Sequence, residues 1–75
     1  MATPLNAQNL MSIRKSCGLT QAQSAEKLQM STRKYSDYEN ENIKTLLSDY
    51  QFHELSRTFK KHVHYFWAEI PMHYS

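Results

Sequence analysis

Apolar residues recur at three- and four-residue steps along most of the chain, which is the spacing of helices that bury one face. Leu10, Ile13 and Cys17 follow these steps in the first segment. Thr3–Pro4 precedes them and is a favourable helix opening, because threonine caps a helix and proline fits its first turn. We therefore predict a first helix from Thr3–Pro4 to about Cys17, ended by Gly18 in a left-handed conformation.

Two short helices separated by a brief turn are predicted next. Thr20 and the glutamine three residues later have the spacing of a capping box, which opens a helix predicted over 21–28. Gln29–Met30 form the turn, and Ser31 caps a helix predicted over 32–39. Two helices joined in this way are the scaffold that presents the second helix to the DNA major groove.

The second half of the chain predicts one long helix that begins with another capping box at Ser48. Apolar residues then step by three or four on one face: Phe52, Leu55, Phe59, Val63, Phe66 and Ile70. The predicted organisation is a DNA-binding core over 1–47, a long helix over 48–70 that completes the core, and a flexible tail over 71–75. The fold class is all-α, with four to five helices.

Aromatic residues are confined to the later part of the chain, since all nine follow residue 34. A helix over 48–70 would be about 33 Å long and would outrun the first three helices. Exposed aromatic surface is typical of partner contacts, so we predict a homodimer through this helix. The predicted interface is Phe59, Val63, Phe66, Trp67 and Ile70. The alternative is a helix that bends back onto its own domain.

Charge and composition narrow the class of protein. The net charge is only +2, but residues 1–38 carry five basic side chains against two acidic ones, an asymmetry that favours nucleic acid as a partner. A single cysteine excludes an internal disulfide and fits a reducing compartment. No secretion signal or membrane-spanning run is recognised. We therefore expect a cytoplasmic protein without membrane contact.

Catalytic and metal-binding chemistry find little support. Paired carboxylates, a nucleophile with its base and a phosphate-binding loop are all missing from the sequence, so we predict no catalytic residue, no cofactor and no enzyme. His62 and His64 would point about 200° apart on the predicted helix and could not share a metal ion. Cys17, at an apolar helix position, is interpreted as a packing residue rather than a nucleophile.

An ordered set of residues resembles the Cro/lambda-repressor-type (XRE) helix-turn-helix family. The set is the segment IRKSCGLTQ at 13–21, then Ala25–Leu28, then Tyr38–Asn40, and the resemblance covers roughly residues 9–47. It implies a lambda-repressor-like domain that binds duplex DNA as a dimer on an inverted repeat. It also implies a repressor of transcription, of the kind found in phages and mobile elements.

The matched positions imply roles for individual residues. Arg14 and Glu39 would form a structural ion pair that holds the recognition helix at a fixed angle. Arg33 would read a base edge, and its guanidinium suits guanine O6 and N7, while Lys34 would meet a phosphate. The full set of implied DNA contacts is Gln21, Thr32, Arg33, Lys34, Ser36, Asp37 and Asn40.

Five positions depart from the family pattern. Gln29 replaces the usual glycine of the turn, which requires a side chain to tolerate strain or the turn to differ. Ser24 replaces an apolar core residue, and Tyr35 is larger than the usual aliphatic one. Glu41 replaces a second glycine near the expected phosphates. Asp37 on the reading face could accept a hydrogen bond from cytosine or could repel DNA.

A second function class remains open from the sequence. In this interpretation the helix-turn-helix is a relic, and the aromatic C-terminal helix binds another protein, as an antitoxin or inhibitor would. The two functions differ in their response to salt. Binding to DNA weakens steeply as salt rises, whereas an apolar protein contact does not.

Overall fold

The computed structural model describes residues 2–68, which contain four α-helices, one 3₁₀ helix and a two-stranded sheet. The all-α class with four to five helical elements is confirmed. In chain order the elements are β1 (Thr3–Pro4), α1 (Ala7–Ser16), α2 (Gln21–Lys27), α3 (Thr32–Tyr38), β2 (Leu46–Leu47), α4 (Asp49–Phe59) and the 3₁₀ helix (Val63–Phe66).

The start of the chain is extended rather than helical, so the predicted helix opening at Thr3–Pro4 is wrong. β1 pairs antiparallel with β2, and on its other side the Pro4 carbonyl accepts a hydrogen bond from the N–H of Ala68 at 2.9 Å. The first helix begins later, because the Asn6 side chain accepts a hydrogen bond from the N–H of Asn9 at 3.0 Å and caps α1. Strand pairing on two sides thus outweighs the local helix signal.

The two short helices begin where the sequence predicts. Thr20 and Gln23 form a complete capping box, with hydrogen bonds of 2.8 and 3.1 Å between them. Ser31 accepts a hydrogen bond from the N–H of Lys34 at 3.1 Å and caps α3. Both helices end one residue before the predicted position, at Lys27 and Tyr38. The caps therefore fix the register of both helices locally.

The turn between α2 and α3 keeps a left-handed residue without using glycine. Gln29 has φ of 57°, a conformation that costs a residue with a Cβ atom about 1–2 kcal/mol. The N–H of Gln29 donates to the Glu26 carbonyl at 3.1 Å, and the N–H of Met30 donates to the Ala25 carbonyl at 2.9 Å. These bonds close the end of α2. The turn therefore keeps the family's left-handed geometry, with the strain placed on Gln29.

The predicted single helix over 48–70 is wrong in its length, because α4 ends at Phe59. Lys60 adopts a left-handed conformation with φ of 57°, and the N–H of Lys61 then bonds to the Ser56 carbonyl at 3.2 Å. The chain reverses into the 3₁₀ helix and returns to β1. A continuous helix would carry Phe66 about 10 Å beyond Phe59 into water; the reversal buries it instead.

The returning segment completes one hydrophobic core shared by all four helices. The buried apolar residues are Leu5, Leu10, Ile13, Ala25, Tyr35, Tyr38, Leu47, Phe52, Leu55, Phe59 and Phe66. Phe59 is 4% exposed and Phe66 is 0% exposed, with ring centroids 6.3 Å apart. The predicted dimer surface is therefore wrong for these two residues, which pack inside their own protomer. The bent-back alternative is the one that the structure adopts.

The other predicted interface residues do not lie on a protruding helix either. Val63 and Trp67 are partly buried against the same core, so residues 59–67 do not form the protruding aromatic surface that the sequence predicts. Ile70 and the predicted tail over 71–75 lie outside the described residues. None of the helices in the described part of the chain combines the length and the apolar character that a bilayer crossing needs.

Candidate nucleic-acid interface

The two faces of α3 differ sharply in exposure. Tyr35 and Tyr38 point inward and are buried, as residues spaced by three should be on a helix with one buried face. The outer face carries the side chains that the resemblance assigns to DNA. Thr32, Arg33, Lys34 and Asp37 are exposed, and Ser36 is partly exposed. The helix thus presents a continuous polar surface with two cations and one carboxylate.

An ion pair joins the end of α3 to α1. The Nε of Arg14 donates to Glu39 Oε2 at 2.6 Å, and its Nη2 donates to Oε1 at 3.1 Å. The remaining terminal nitrogen of Arg14 donates to the Leu19 carbonyl at 2.8 Å. Both side chains are almost completely buried. This two-pronged contact restricts the relative rotation of the groups it joins, and it ties the end of α3 to α1.

Gln21, in the first turn of α2, joins Arg14 and Glu39 to form a polar cluster. Its amide nitrogen donates to Glu39 Oε1 at 3.0 Å, and the residue is half-buried. The resemblance assigns Gln21 to the DNA backbone, whereas in this structure its amide nitrogen is engaged inward. Sequence reasoning missed this bond, because helical periodicity does not fix where the side chain of a first-turn residue points.

Protonation within the cluster follows from its geometry. Burial would raise the pKa of Glu39, but the hydrogen bonds from Arg14 and Gln21, together with the nearby Tyr35 hydroxyl, outweigh it and lower that pKa below its ordinary value. The hydrogen bond to Glu39 raises the pKa of Arg14. Burial raises the pKa of the Tyr35 phenol, and the neighbouring carboxylate raises it further. The cluster therefore holds a charged pair beside a neutral phenol at neutral pH.

Asn40 lies just beyond α3 and is exposed. Its side-chain oxygen accepts a hydrogen bond from the N–H of Asn42 at 2.9 Å, and its own N–H donates to the Asp37 carbonyl at 3.2 Å. These bonds shape the polar loop that follows α3. Glu41, which departs from the family pattern, is also exposed in this loop.

Two minor predictions about reactive side chains are wrong. His62 and His64 do not point apart, because the segment is not α-helical: their ring centroids are 4.2 Å apart, and His62 Nδ1 accepts from the N–H of His64 at 3.2 Å. Residues 2–68 nevertheless contain no cluster of three or more side chains arranged to hold a metal ion. Cys17 is exposed rather than packed.

Two capped short helices, a tight turn and an outward polar face on the second helix define a helix-turn-helix DNA-binding domain. A family model described as helix-turn-helix, of the Cro/C1 (XRE) type, matches residues 10–66, so the chain belongs to that family. Its members are DNA-binding transcription regulators rather than enzymes. The match extends through α4 and the 3₁₀ helix. No curated protein and no solved structure matches the sequence.

Proposed function

We propose that the protein is a cytoplasmic repressor that inserts α3 into the major groove of an inverted-repeat operator as a homodimer. The observation that supports this most directly is the division of α3 into a buried tyrosine face and an exposed polar face. The Arg14–Glu39 pair keeps that polar face directed outward. Occupation of a promoter by such a dimer would block transcription.

Base recognition is proposed to depend chiefly on Arg33. A guanidinium at an exposed position of α3 can donate two hydrogen bonds to guanine, whereas the neighbouring Lys34 would neutralise a phosphate without reading sequence. Asp37 lies on the same exposed face. It would accept from the exocyclic amine of cytosine where the site offers one, and it would repel the backbone elsewhere.

Selection of bound sites from a random pool of duplexes is the test of this function. We expect recovered sites to be palindromic, with half-site centres about 34 Å apart, one turn of DNA. Affinity for the recovered site should fall linearly with salt on a double logarithmic plot. Purified protein that ignores every duplex even at low ionic strength would contradict the proposal.

Arg33→Ala is expected to weaken binding to the selected site by about 1–3 kcal/mol, or roughly 5- to 150-fold, and to relax preference at one base pair. Fluorescence anisotropy with the selected site and single-base variants measures both effects. Arg57→Ala is the matched control, because Arg57 is a largely exposed arginine on α4 that pairs with Glu54. An unchanged base preference in Arg33→Ala would remove Arg33 from the reading face.

The homodimer needs a different surface from the one that the sequence predicts. Among residues 2–68 the large exposed apolar side chains are Ile43, Leu46 and Tyr50, at 44%, 53% and 72% exposure. Ile43 and Leu46 lie between α3 and α4, and Tyr50 lies in the first turn of α4. Leu46 belongs to β2 at the edge of the sheet, where backbone groups are available to a second chain. We propose that a second copy docks here, which would bring two recognition helices side by side for a two-fold operator.

Leu46→Glu is expected to convert the dimer to a monomer in sedimentation at micromolar concentration while leaving the thermal unfolding of the protomer nearly unchanged. A charge at the centre of an apolar contact is costly once it is desolvated, but Leu46 is already exposed in the single protomer. Ser12→Glu places the same charge on an exposed position of α1 and should not alter association. A wild-type protein that is monomeric both free and on DNA would end this proposal.

A further inference from the structure

The free edge of the sheet exposes the backbone of Leu46. Pro4 lies opposite Leu46 in the register of β1 and β2, but proline has no N–H, and the Pro4 carbonyl accepts from the N–H of Ala68 on the other side of β1. In an antiparallel ladder, opposed residues that do not bond to each other direct their N–H and C=O groups away from the partner strand. Both backbone groups of Leu46 therefore point away from β1, and no turn or loop among residues 2–68 bonds to either of them.

The chain on either side of Leu46 limits how far a second strand could pair. The two neighbouring residues direct their backbone groups toward β1. The next outward position is Ser48, whose N–H donates to the Gln51 side chain at 2.8 Å as part of the cap of α4. Before β2 the chain curves into the polar loop, where the N–H of Ile43 donates to the Asn40 carbonyl at 3.0 Å. Pairing with a second strand is therefore centred on Leu46.

A second copy of the chain is the occupant that suits this edge. Leu46 offers one donor and one acceptor, so two copies related by a two-fold axis satisfy both groups with two reciprocal hydrogen bonds. The Leu46 side chain is 53% exposed. In such a pair it would face its own counterpart at a Cα distance of about 5.5 Å, which buries both leucines. An unrelated extended peptide would gain the same two bonds but would cover only one such apolar surface.

The charges around Leu46 are also complementary to those of an antiparallel copy. Lys44 precedes Leu46 and Asp49 follows it, and both charged residues are exposed. In antiparallel pairing the segment before the bridge lies beside the segment after it in the other chain, so each Lys44 comes near the partner's Asp49. Opposite charges then meet on both sides of the two-fold axis, whereas a parallel copy would bring like charges together.

We propose that two copies join through a backbone bridge between their Leu46 residues, which makes one four-stranded sheet in the order β1–β2–β2–β1. This inference rests on the proposed function, because it specifies how the homodimer at this surface is held in register. Paired hydrogen bonds fix the register of two strands, which apolar contact alone specifies weakly. Since only the polar loop separates α3 from β2, the same bridge also determines how the two recognition helices are placed.

A mixed sample of ¹³C-labelled and unlabelled protein tests the register directly. If Leu46 pairs with Leu46, Thr45 lies opposite the partner's Leu47 as a pair without hydrogen bonds, with Cα atoms about 4.5 Å apart. We therefore expect an intermolecular nuclear Overhauser contact between the α-protons of Thr45 and Leu47 in the free protein. Within one extended strand the two residues are about 7 Å apart, so the contact is specific to the bridge.

Amide exchange at Leu46 is an independent measurement. The N–H of Leu46 has no partner among residues 2–68, so its protection should rise with protein concentration as the dimer forms. Thr32 is the control, because it is exposed at the first position of α3, where an N–H has no partner within the helix. Exchange at Thr32 should not depend on concentration.

Leu46→Pro removes the donor of the bridge without removing a bond of the protomer, because the N–H of Leu46 does not pair with β1. Leu46→Ala is the matched variant, since it also shortens the apolar side chain but keeps the N–H. We expect Leu46→Pro to dimerise about 5- to 150-fold more weakly than Leu46→Ala, the range for two hydrogen bonds. Thermal unfolding of the monomers checks that both variants keep the fold.

The bridge would be overturned by equal association of the two variants, by a dimer without the contact between Thr45 and Leu47, or by a dimer with an unprotected Leu46 amide. A free protein that stays monomeric at the millimolar concentrations of NMR would overturn it as well. None of these measurements uses DNA. A protein that forms the bridge but binds no duplex would therefore refute the proposed function and leave the bridge standing.

Discussion

Glu39→Gln should lower the free energy of unfolding by about 3–5 kcal/mol, the cost of leaving one member of a buried ion pair without its partner. Glu39 is 4% exposed and receives two hydrogen bonds from Arg14. Glutamine keeps the shape of the side chain but offers only one acceptor oxygen and no charge. Since a domain of this length has roughly 4–11 kcal/mol of stability, urea unfolding at pH 7 should show a large shift of the midpoint.

The same substitution should remove a specific pH dependence. The pKa of Glu39 is lower in the folded protein than its ordinary value of 4.5, so the folded state favours the ionised carboxylate. Its contribution is complete above the ordinary value and is lost as the pH falls through the lower, folded value. Wild-type stability should therefore decline in that acidic window, and Glu39→Gln should decline less steeply there.

Glu41→Gln supplies the matched control, because Glu41 is an exposed carboxylate two residues away and its loss should change stability by less than about 0.5 kcal/mol. A double variant, Arg14→Leu with Glu39→Met, guards against a single variant that fails to fold. Replacing both charges by apolar groups removes the unpaired charge, so the double variant should be more stable than Glu39→Gln. Equal losses of unfolding free energy in Glu39→Gln and Glu41→Gln would show that the Arg14–Glu39 pair does not stabilise the fold.

The helix-turn-helix segment could be predicted from the sequence because its signals are local. Thr20 and Ser31 each cap a helix within three residues of themselves, and a capping box needs no information from the rest of the chain. The direction of α3 follows as well, since the spacing of Tyr35 and Tyr38 selects its buried face. The resemblance places Arg33 and Lys34 on the outside, and both are exposed.

The two ends of the described chain could not be predicted in the same way. β1 forms because residues far away in sequence, at β2 and at Ala68, supply its hydrogen bonds, and a two-residue strand has no periodicity of its own. At the C-terminal end the apolar stripe continues at helical spacing beyond Phe59, so the pattern gives no indication of the break at Lys60. The burial of Phe66 against Phe59 and the hydrogen bonds from the returning segment to Pro4 and Asn6 distinguish the folded-back chain from a longer helix.

The polar cluster that joins α1 and α2 to the end of α3 could be predicted only in part from the sequence. The pairing of Arg14 with Glu39 was expected from the resemblance, and the structure brings the two side chains together. The inward bond of Gln21 was not expected, because its side chain could equally have faced solvent. Ser24 and Tyr35 stand out in the sequence only as separate departures from the family pattern, and their complete burial becomes visible only when α2 and α3 are packed together.

Phe66→Ala should destabilise the single protomer by about 3–5 kcal/mol, the usual cost of removing a fully buried phenylalanine ring. Phe66 is 0% exposed and packs against Phe59 at 6.3 Å and edge-on to Tyr65 at 5.3 Å, measured between ring centroids. Its carbonyl also accepts a hydrogen bond from the N–H of Asn6 at 2.7 Å. Loss of the ring should therefore loosen the contact between the returning segment and β1, which hydrogen exchange at Asn6 would report.

This substitution separates the folded-back chain from the long helix that the apolar stripe predicts. On a protruding helix Phe66 would be exposed in the monomer, so alanine would weaken association and leave the unfolding of the monomer almost unchanged. In the structure Phe66 fills the core, so the free energy of unfolding should fall even at concentrations where only monomer exists.

Phe66→Leu, with a cost of less than about 1.5 kcal/mol, keeps the comparison measurable if Phe66→Ala does not fold. Tyr50→Ala, at a position that is 72% exposed, should leave the unfolding midpoint of the monomer within error; an equally small effect of Phe66→Ala would contradict the reversal at Lys60.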